Sequence, residues 1–189
     1  EPESDLLNQA VLMFKGDVYL GLEAETFTED DYFDAQENLR ILSGLYGYLK
    51  PMDLIQAYRL EMGTKLPIAR KKNLYEFWGG KIAKEINNEL ENHENKYVIN
   101  LASNEYFKAA NQKNIKHSII TPIFKDFKNG EYKVISFFAK RARGMMAKWI
   151  IQNRVQKPEE LKMFDVQGSY FNEQFSTPSE PVFTRDGVK

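Results

Sequence analysis

The sequence predicts an α+β, or mixed α/β, protein: a single compact domain with a mixed sheet, flanking helices and a helix-hairpin-helix-like element over residues 28–56. Three observations carry that reading. Stretches with helical spacing of apolar residues alternate irregularly with short strand-like runs, unlike the regular βαβ order of a doubly wound sheet. Asn129-Gly130 joins two strand-like runs, the strongest short hairpin signal. No internal repeat, low-complexity tract or Pro/Gly/Ser linker interrupts the 189 residues, so one domain, or two closely joined halves, is expected over 1–189.

Taken in order, "SDLLNQAVLMF" reads as a short helix stopped at Gly16. "TEDDYFDAQENLRIL" reads as a longer one, with Thr28 as N-cap, Asp31 at the capping-box position and acids in the first turn facing the positive end of the dipole. "LSGLYGYLKP", Leu42–Pro51, then offers a glycine hairpin with a second short helix starting near Pro51. The alternation of Tyr58, Leu60 and Met62 with Arg59 and Glu61 predicts a half-buried strand that presents Arg59 and Glu61 together. "NLYEFWGGKIAKEINNELEN" predicts a helix with a soft Gly79-Gly80 step, "KYVINLAS" a buried strand and "NEYFKAA" a short helix. "SIITPIFKDFKNGEYKVISFFA" gives the hairpin, whose second strand feeds the basic helix "AKRARGMMAKWIIQNRV". The tail predicts a short helix at "KPEELKMF" and two late strands returning to the sheet edge.

Composition excludes several classes of function. The absence of cysteine rules out disulfides, thiolate catalysis and cysteine-ligated zinc or iron–sulfur clusters, and the widely separated His93 and His117 leave little for a transition metal. An oxygen-only magnesium or calcium site stays open, and no cofactor is expected. Apolar runs fall far short of the roughly 20 residues of a membrane span, and no signal-peptide pattern opens the chain, so a cytoplasmic protein without a membrane partner is expected.

The net charge of -1 conceals an asymmetry. Eleven acids against Lys15 occupy the first 38 residues, leaving 25 basic and 16 acidic residues beyond them. Between Glu131 and Glu159 lie Lys133, Lys140, Arg141, Arg143, Lys148, Arg154 and Lys157, and no acid. On the helix, Phe138, Ala142, Met145, Met146 and Trp149 fall on one side and most of the cations on the other, which favours a polyanion.

Two constellations could carry function. In the first, glycine at positions 44 and 47 lets backbone N–H groups approach phosphate, Lys50 adds charge, and Lys140, Arg141, Arg143 and Lys148 grip the same polyanion without reading sequence. A plain left-handed helix cap is the competing reading of the glycines. In the second, Asn100, Ser103, Asn104 and Glu105 follow a buried strand; Glu61 or Glu105 as general acid/base, with Asn100 and Arg59 holding substrate, would make an enzyme acting on a base, nucleoside or damaged nucleic acid. Ser103 or Asn104 capping the next helix accounts for part of that cluster. No Ser-His-Asp, paired-carboxylate or phosphate-loop pattern is present.

"FKGDVYLGLEAETF", "LRILSGLYGYLKPMDLIQAYRLEMGTKL", "LYEFWGGKIAKEIN", "VINLASNEYFK" and "ISFFAKRARGMMAKWIIQNR" closely resemble, in order, blocks of the bacterial YaaA family of peroxide stress resistance proteins. The family's usual first segment, with a strand and a "SPAKT"-like loop, is absent, so an N-terminally truncated member is expected. The resemblance implies a cytosolic protein that binds double-stranded or distorted DNA through a positive cleft and a helix-hairpin-helix-like element, and that limits iron-driven oxidative damage. It places those roles on the hairpin at Gly44 and Gly47 and on Lys140, Arg141 and Arg143.

Overall fold

The computed structural model describes residues 7–186. The chain divides into two compact units whose segments interleave in sequence: residues 1–14, 32–96 and 102–117 make the first, residues 15–31, 97–101 and 118–189 the second. The first opens with β1 (Asn8–Gln9) and a single helical turn, α1 (Ala10–Met13); the second begins with α2 (Asp17–Leu22). Helix α3 (Glu29–Asn38) carries the chain back into the first unit, followed by β2 (Ile41–Ser43), β3 (Gly47–Leu49), β4 (Leu54–Ile55), α4 (Leu74–Trp78) and α5 (Lys81–Leu90). After β5 (Tyr97–Ile99) of the second unit, α6 (Asn104–Ala109) completes the first. The second then runs through β6 (Ser118–Ile120), β7 (Ile123–Lys128), β8 (Glu131–Lys133), α7 (Ser136–Gln152), β9 (Ser169–Phe171) and β10 (Val182–Arg185). Mixed α/β architecture is what the sequence predicts.

Local chemistry explains most of these elements. The Thr28 N–H donates to Asp31 Oδ2 at 3.1 Å and the Asp31 N–H to Thr28 Oγ1 at 3.2 Å, so the predicted capping box starts α3. Asn129 and Gly130, with φ of 57° and 84°, make the tight turn between antiparallel β7 and β8, as their sequence requires. In α5, Ile82, Ala83, Ile86 and Leu90 are buried while Lys81, Lys84 and Glu85 are exposed, the stripe expected of an amphipathic helix. Gly79, at φ 52°, separates α4 from α5, so the soft step is a full break.

The second unit holds the mixed sheet, in the order β8-β7-β10-β9. Strand β10 lies inside it, parallel to β7 and antiparallel to β9, rather than at the edge expected of the tail. Its register places Phe183 beside Phe124, with rings stacked 5.5 Å apart and Phe164 edge-on to both. Ala142, Met146 and Leu161, all fully buried, complete this core. Full burial of each large side chain contributes about 1.5–3 kcal/mol, so this aromatic layer sets the position of α7.

Three predicted elements change. The first helix is a strand followed by one turn within the described residues, its leading residues Ser4–Leu6 lying outside them. Residues 58–62 form no strand: Leu60 is partly buried and Met62 fully, while Arg59 and Glu61 are exposed, so the alternation reports burial without a ladder partner. The helix-hairpin-helix-like element over 28–56 is also corrected. Helix α3 ends at Asn38, Ile41–Ser43 pairs with Gly47–Leu49, and a turn and the strand β4 follow Pro51 where a helix was expected. β-branched Ile41 and the close-packed glycines favour a three-residue β-hairpin over a helix cap.

Candidate nucleic-acid interface

In the first unit the hairpin places Gly44 and Gly47 inside. A Cβ on Gly44 would lie 2.4 Å from the Leu60 carbonyl oxygen, and one on Gly47 2.4 Å from the Trp78 ring, with φ at 77° besides. The Trp78 indole N–H donates to the Gly44 carbonyl at 3.1 Å. Ser43 Oγ and Tyr58 Oη lie 2.5 Å apart, and the Tyr46 N–H donates to Ser43 Oγ at 2.9 Å. The N–H groups of Leu45 and Gly44 also turn toward the Tyr58 hydroxyl. Burial pushes that phenol up while these donors partly oppose the rise. Of the loop N–H groups expected to meet phosphate, that of Tyr46 is thus engaged with the protein's own Ser43 hydroxyl.

Lys50, at the end of the hairpin, is 3.4 Å from Glu89 Oε1, and its side chain is 41% exposed. Arg40 Nε and the Tyr48 hydroxyl also donate to Glu89 Oε2, at 2.5 and 2.7 Å. Burial acts to raise the Glu89 carboxyl, but Arg40, Tyr48 and Lys50 outweigh it and hold it below its ordinary value.

In the second unit cations of α7, and Arg154 just beyond its end, lie against acids from the start of the chain. Lys148 Nζ is 2.7 Å from Glu23, Arg154 is 2.9 Å from Asp31, and Lys140 is 3.9 Å from Asp17. The two ends of the sequence charge asymmetry therefore neutralise one another here. Arg141 and Arg143 are partly buried and form no ion pair among the described residues. Desolvation lowers the Arg143 pKa.

The residues of the enzyme reading divide between the units. Asn100 is buried in the second, its N–H donating to the Ile120 carbonyl at 2.7 Å and its amide to Thr121 Oγ1 at 3.4 Å. Arg59, Glu61 and Glu105 belong to the first. Glu105 Oε1 accepts the Gly63 N–H at 2.8 Å, and Ser103 caps α6 through the Tyr106 N–H. Among the described residues no cluster of three or more acidic or histidine side chains could hold a metal, and no helix is long and apolar enough to cross a membrane.

A family model described as peroxide stress protein YaaA matches residues 1–175. The chain belongs to the YaaA family. It is 60% identical over 179 residues to a UPF0246 protein of Pseudoalteromonas translucida, which covers 94% of this chain and 69% of that protein. A UPF0246 protein of Shewanella halifaxensis is 58% identical over 178 residues, with coverage of 94% and 69%. One from Shewanella sp. strain ANA-3 is 55% identical over 182 residues, with coverage of 96% and 71%.

The first unit of this YaaA-family chain contains further cations that neither the hairpin nor the basic helix includes. From Gln56 to Lys72 the backbone is irregular apart from the Ile68–Lys71 bridge, and Arg59, Lys65, Arg70, Lys71 and Lys72 are all exposed. None forms an ion pair among the described residues, and Glu61 is the only acid in the segment. Long irregular segments with their own charge pattern are commonly functional. The run "ARKK" is the signal that could have found it.

Proposed function

We propose that this YaaA-family protein acts in the peroxide stress response by binding DNA through its phosphates, with little reading of base sequence. The observation that carries this is the Gln56–Lys72 segment, five exposed cations without ion pairs among the described residues. A cation held by a neighbouring carboxylate must give up that partner to meet a phosphate; an unpaired one releases only counterions from the DNA. The segment is therefore the stronger grip. Lys50 adds to it within the first unit, and Lys140 offers the second unit's own contact; both are half-exposed and weakly paired. Gly44 and Gly47 serve by building the hairpin whose Ser43 holds Tyr58 at the start of the segment. DNA covered in this way is less open to iron-driven oxidation, which links binding to the family's name.

Electrostatic binding of this kind weakens with salt, at a slope of about 0.9 per phosphate neutralised, so five contacts give a slope of about -4.5. Titration of labelled duplexes of scrambled sequence over a range of salt concentrations tests it. Steep salt dependence with equal affinity for different sequences supports the reading; salt-independent binding, or none at low salt, refutes it.

A further inference from the structure

The basic segment of the first unit has little regular structure, yet it is tied down at intervals along its length. Tyr58 is held by Ser43 at 2.5 Å, and Met62 is fully buried. The next N–H, that of Gly63, donates to Glu105 Oε1 at 2.8 Å, across 42 residues of sequence. Further on, the Ile68 N–H donates to the Lys71 carbonyl at 3.0 Å and the Lys71 N–H to the Ile68 carbonyl at 2.9 Å, around Ala69 in the left-handed region at φ 52°. The Lys72 N–H then donates to Glu76 Oε2 at 3.0 Å.

Two acids beside the segment thus serve its backbone and not its cations. Neither Glu76 nor Glu105 forms an ion pair among the described residues, and Arg59, Lys65, Arg70, Lys71 and Lys72 stay exposed. Glu76 lies in the first turn of α4 and reaches back to the residue before its N-cap, so it also supports that helix start. Glu105 has no such local duty, because Ser103 caps its helix, α6. A Cβ at Gly63 would lie 3.1 Å from Glu105 Oε1, so the glycine leaves room for the carboxylate to reach the N–H. An ionised acceptor makes this one of the stronger kinds of hydrogen bond.

We propose that Glu105 is a positioning residue for polyanion binding: it fixes the backbone at Gly63 and so holds the neighbouring cations, Lys65 first among them, in place before a phosphate arrives. This rests on the DNA reading above and adds the group that orders its binding segment. Ordering a loop in advance removes that entropy cost from the binding step. Without the Gly63 bond the same cations remain, so affinity falls while the number of phosphates neutralised does not change.

Glu105→Gln keeps an oxygen able to accept the Gly63 N–H and Glu105→Ala does not, while both remove the same charge. Glu105 is exposed, so both variants are expected to keep the thermal transition of wild type. In titrations of labelled duplex, Glu105→Ala should bind about threefold to tenfold more weakly than Glu105→Gln at each salt concentration, with the same salt slope. Trypsin, which cuts after Lys and Arg, reads the order of the segment without DNA: cleavage after Lys65 should be faster in Glu105→Ala than in Glu105→Gln. Equal affinity of the two variants, or equal cleavage after Lys65, would overturn the proposal. If wild type and both variants all fail to bind duplex, the DNA reading falls instead, and the cleavage comparison alone decides whether Glu105 orders the segment.

Discussion

Ser43 Oγ lies 2.5 Å from Tyr58 Oη, and this hydrogen bond ties the β2–β3 hairpin to the start of the basic segment. The Gly44 and Leu45 N–H groups face the same hydroxyl. Tyr58→Phe leaves the fully buried Ser43 hydroxyl without this partner, which should cost about 1–3 kcal/mol of unfolding free energy. Chemical denaturation measures it. A change within a few tenths of a kcal/mol would show that the Ser43 hydroxyl is satisfied elsewhere.

Gly44→Ala is expected to destabilise by about 1–3 kcal/mol, because its Cβ would meet the Leu60 carbonyl, a backbone atom that cannot swing aside. Duplex affinity per folded molecule should stay near wild type, since the glycine is buried. A variant of native stability with weakened DNA binding would return the phosphate-contact role to this loop.

Gly144→Ala places a Cβ 1.8 Å from the Val18 carbonyl oxygen, so α2 and α7 must separate. Overpacking typically costs about 1–3 kcal/mol, and backbone against backbone puts this site at the upper end or beyond. Thermal denaturation should show one of the largest drops in midpoint among single glycine substitutions, and a midpoint equal to wild type would refute the close crossing.

Acid should weaken the fold through Asp31 and Glu89. Burial acts to raise the Asp31 carboxyl, but the Thr28 N–H and hydroxyl and the Arg154 guanidinium outweigh it and hold its pKa low. Glu89 is likewise held low by Arg40, Tyr48 and Lys50 against its burial. A carboxyl whose folded pKa lies below its unfolded one adds stability above the unfolded value, and that stability disappears as pH falls through the folded value. Thermal midpoints should therefore decline below about pH 4, and Asp31→Asn should lower the midpoint at neutral pH while flattening the acid limb. An Asp31→Asn curve that parallels wild type throughout would contradict this.

The capping box at Thr28 and Asp31 and the turn at Asn129-Gly130 were legible in the sequence because both are local: each needs only residues within a few positions. The Leu42–Pro51 stretch was not, because glycines beside leucine and tyrosine suit a helix cap and a three-residue β-hairpin equally well, and the Trp78 ring that decides between them lies far along the chain. The positive run of α7 was legible, but its partners were not. Glu23 is 125 residues from Lys148 and Asp31 is 123 from Arg154, so the neutralising pairs form only after folding. At residues 58–62, period-two alternation records which side chains are buried, not whether a neighbouring strand accepts the backbone.

Most directly, the central claim is tested by the salt dependence of duplex binding for wild type and for the triple variant Arg70→Glu, Lys71→Glu, Lys72→Glu. Removing one phosphate-binding cation makes the slope shallower by about 1, so the triple variant should be shallower by about 3 and bind far more weakly at moderate salt, with its thermal midpoint unchanged. An unchanged slope in the folded triple variant would contradict the account.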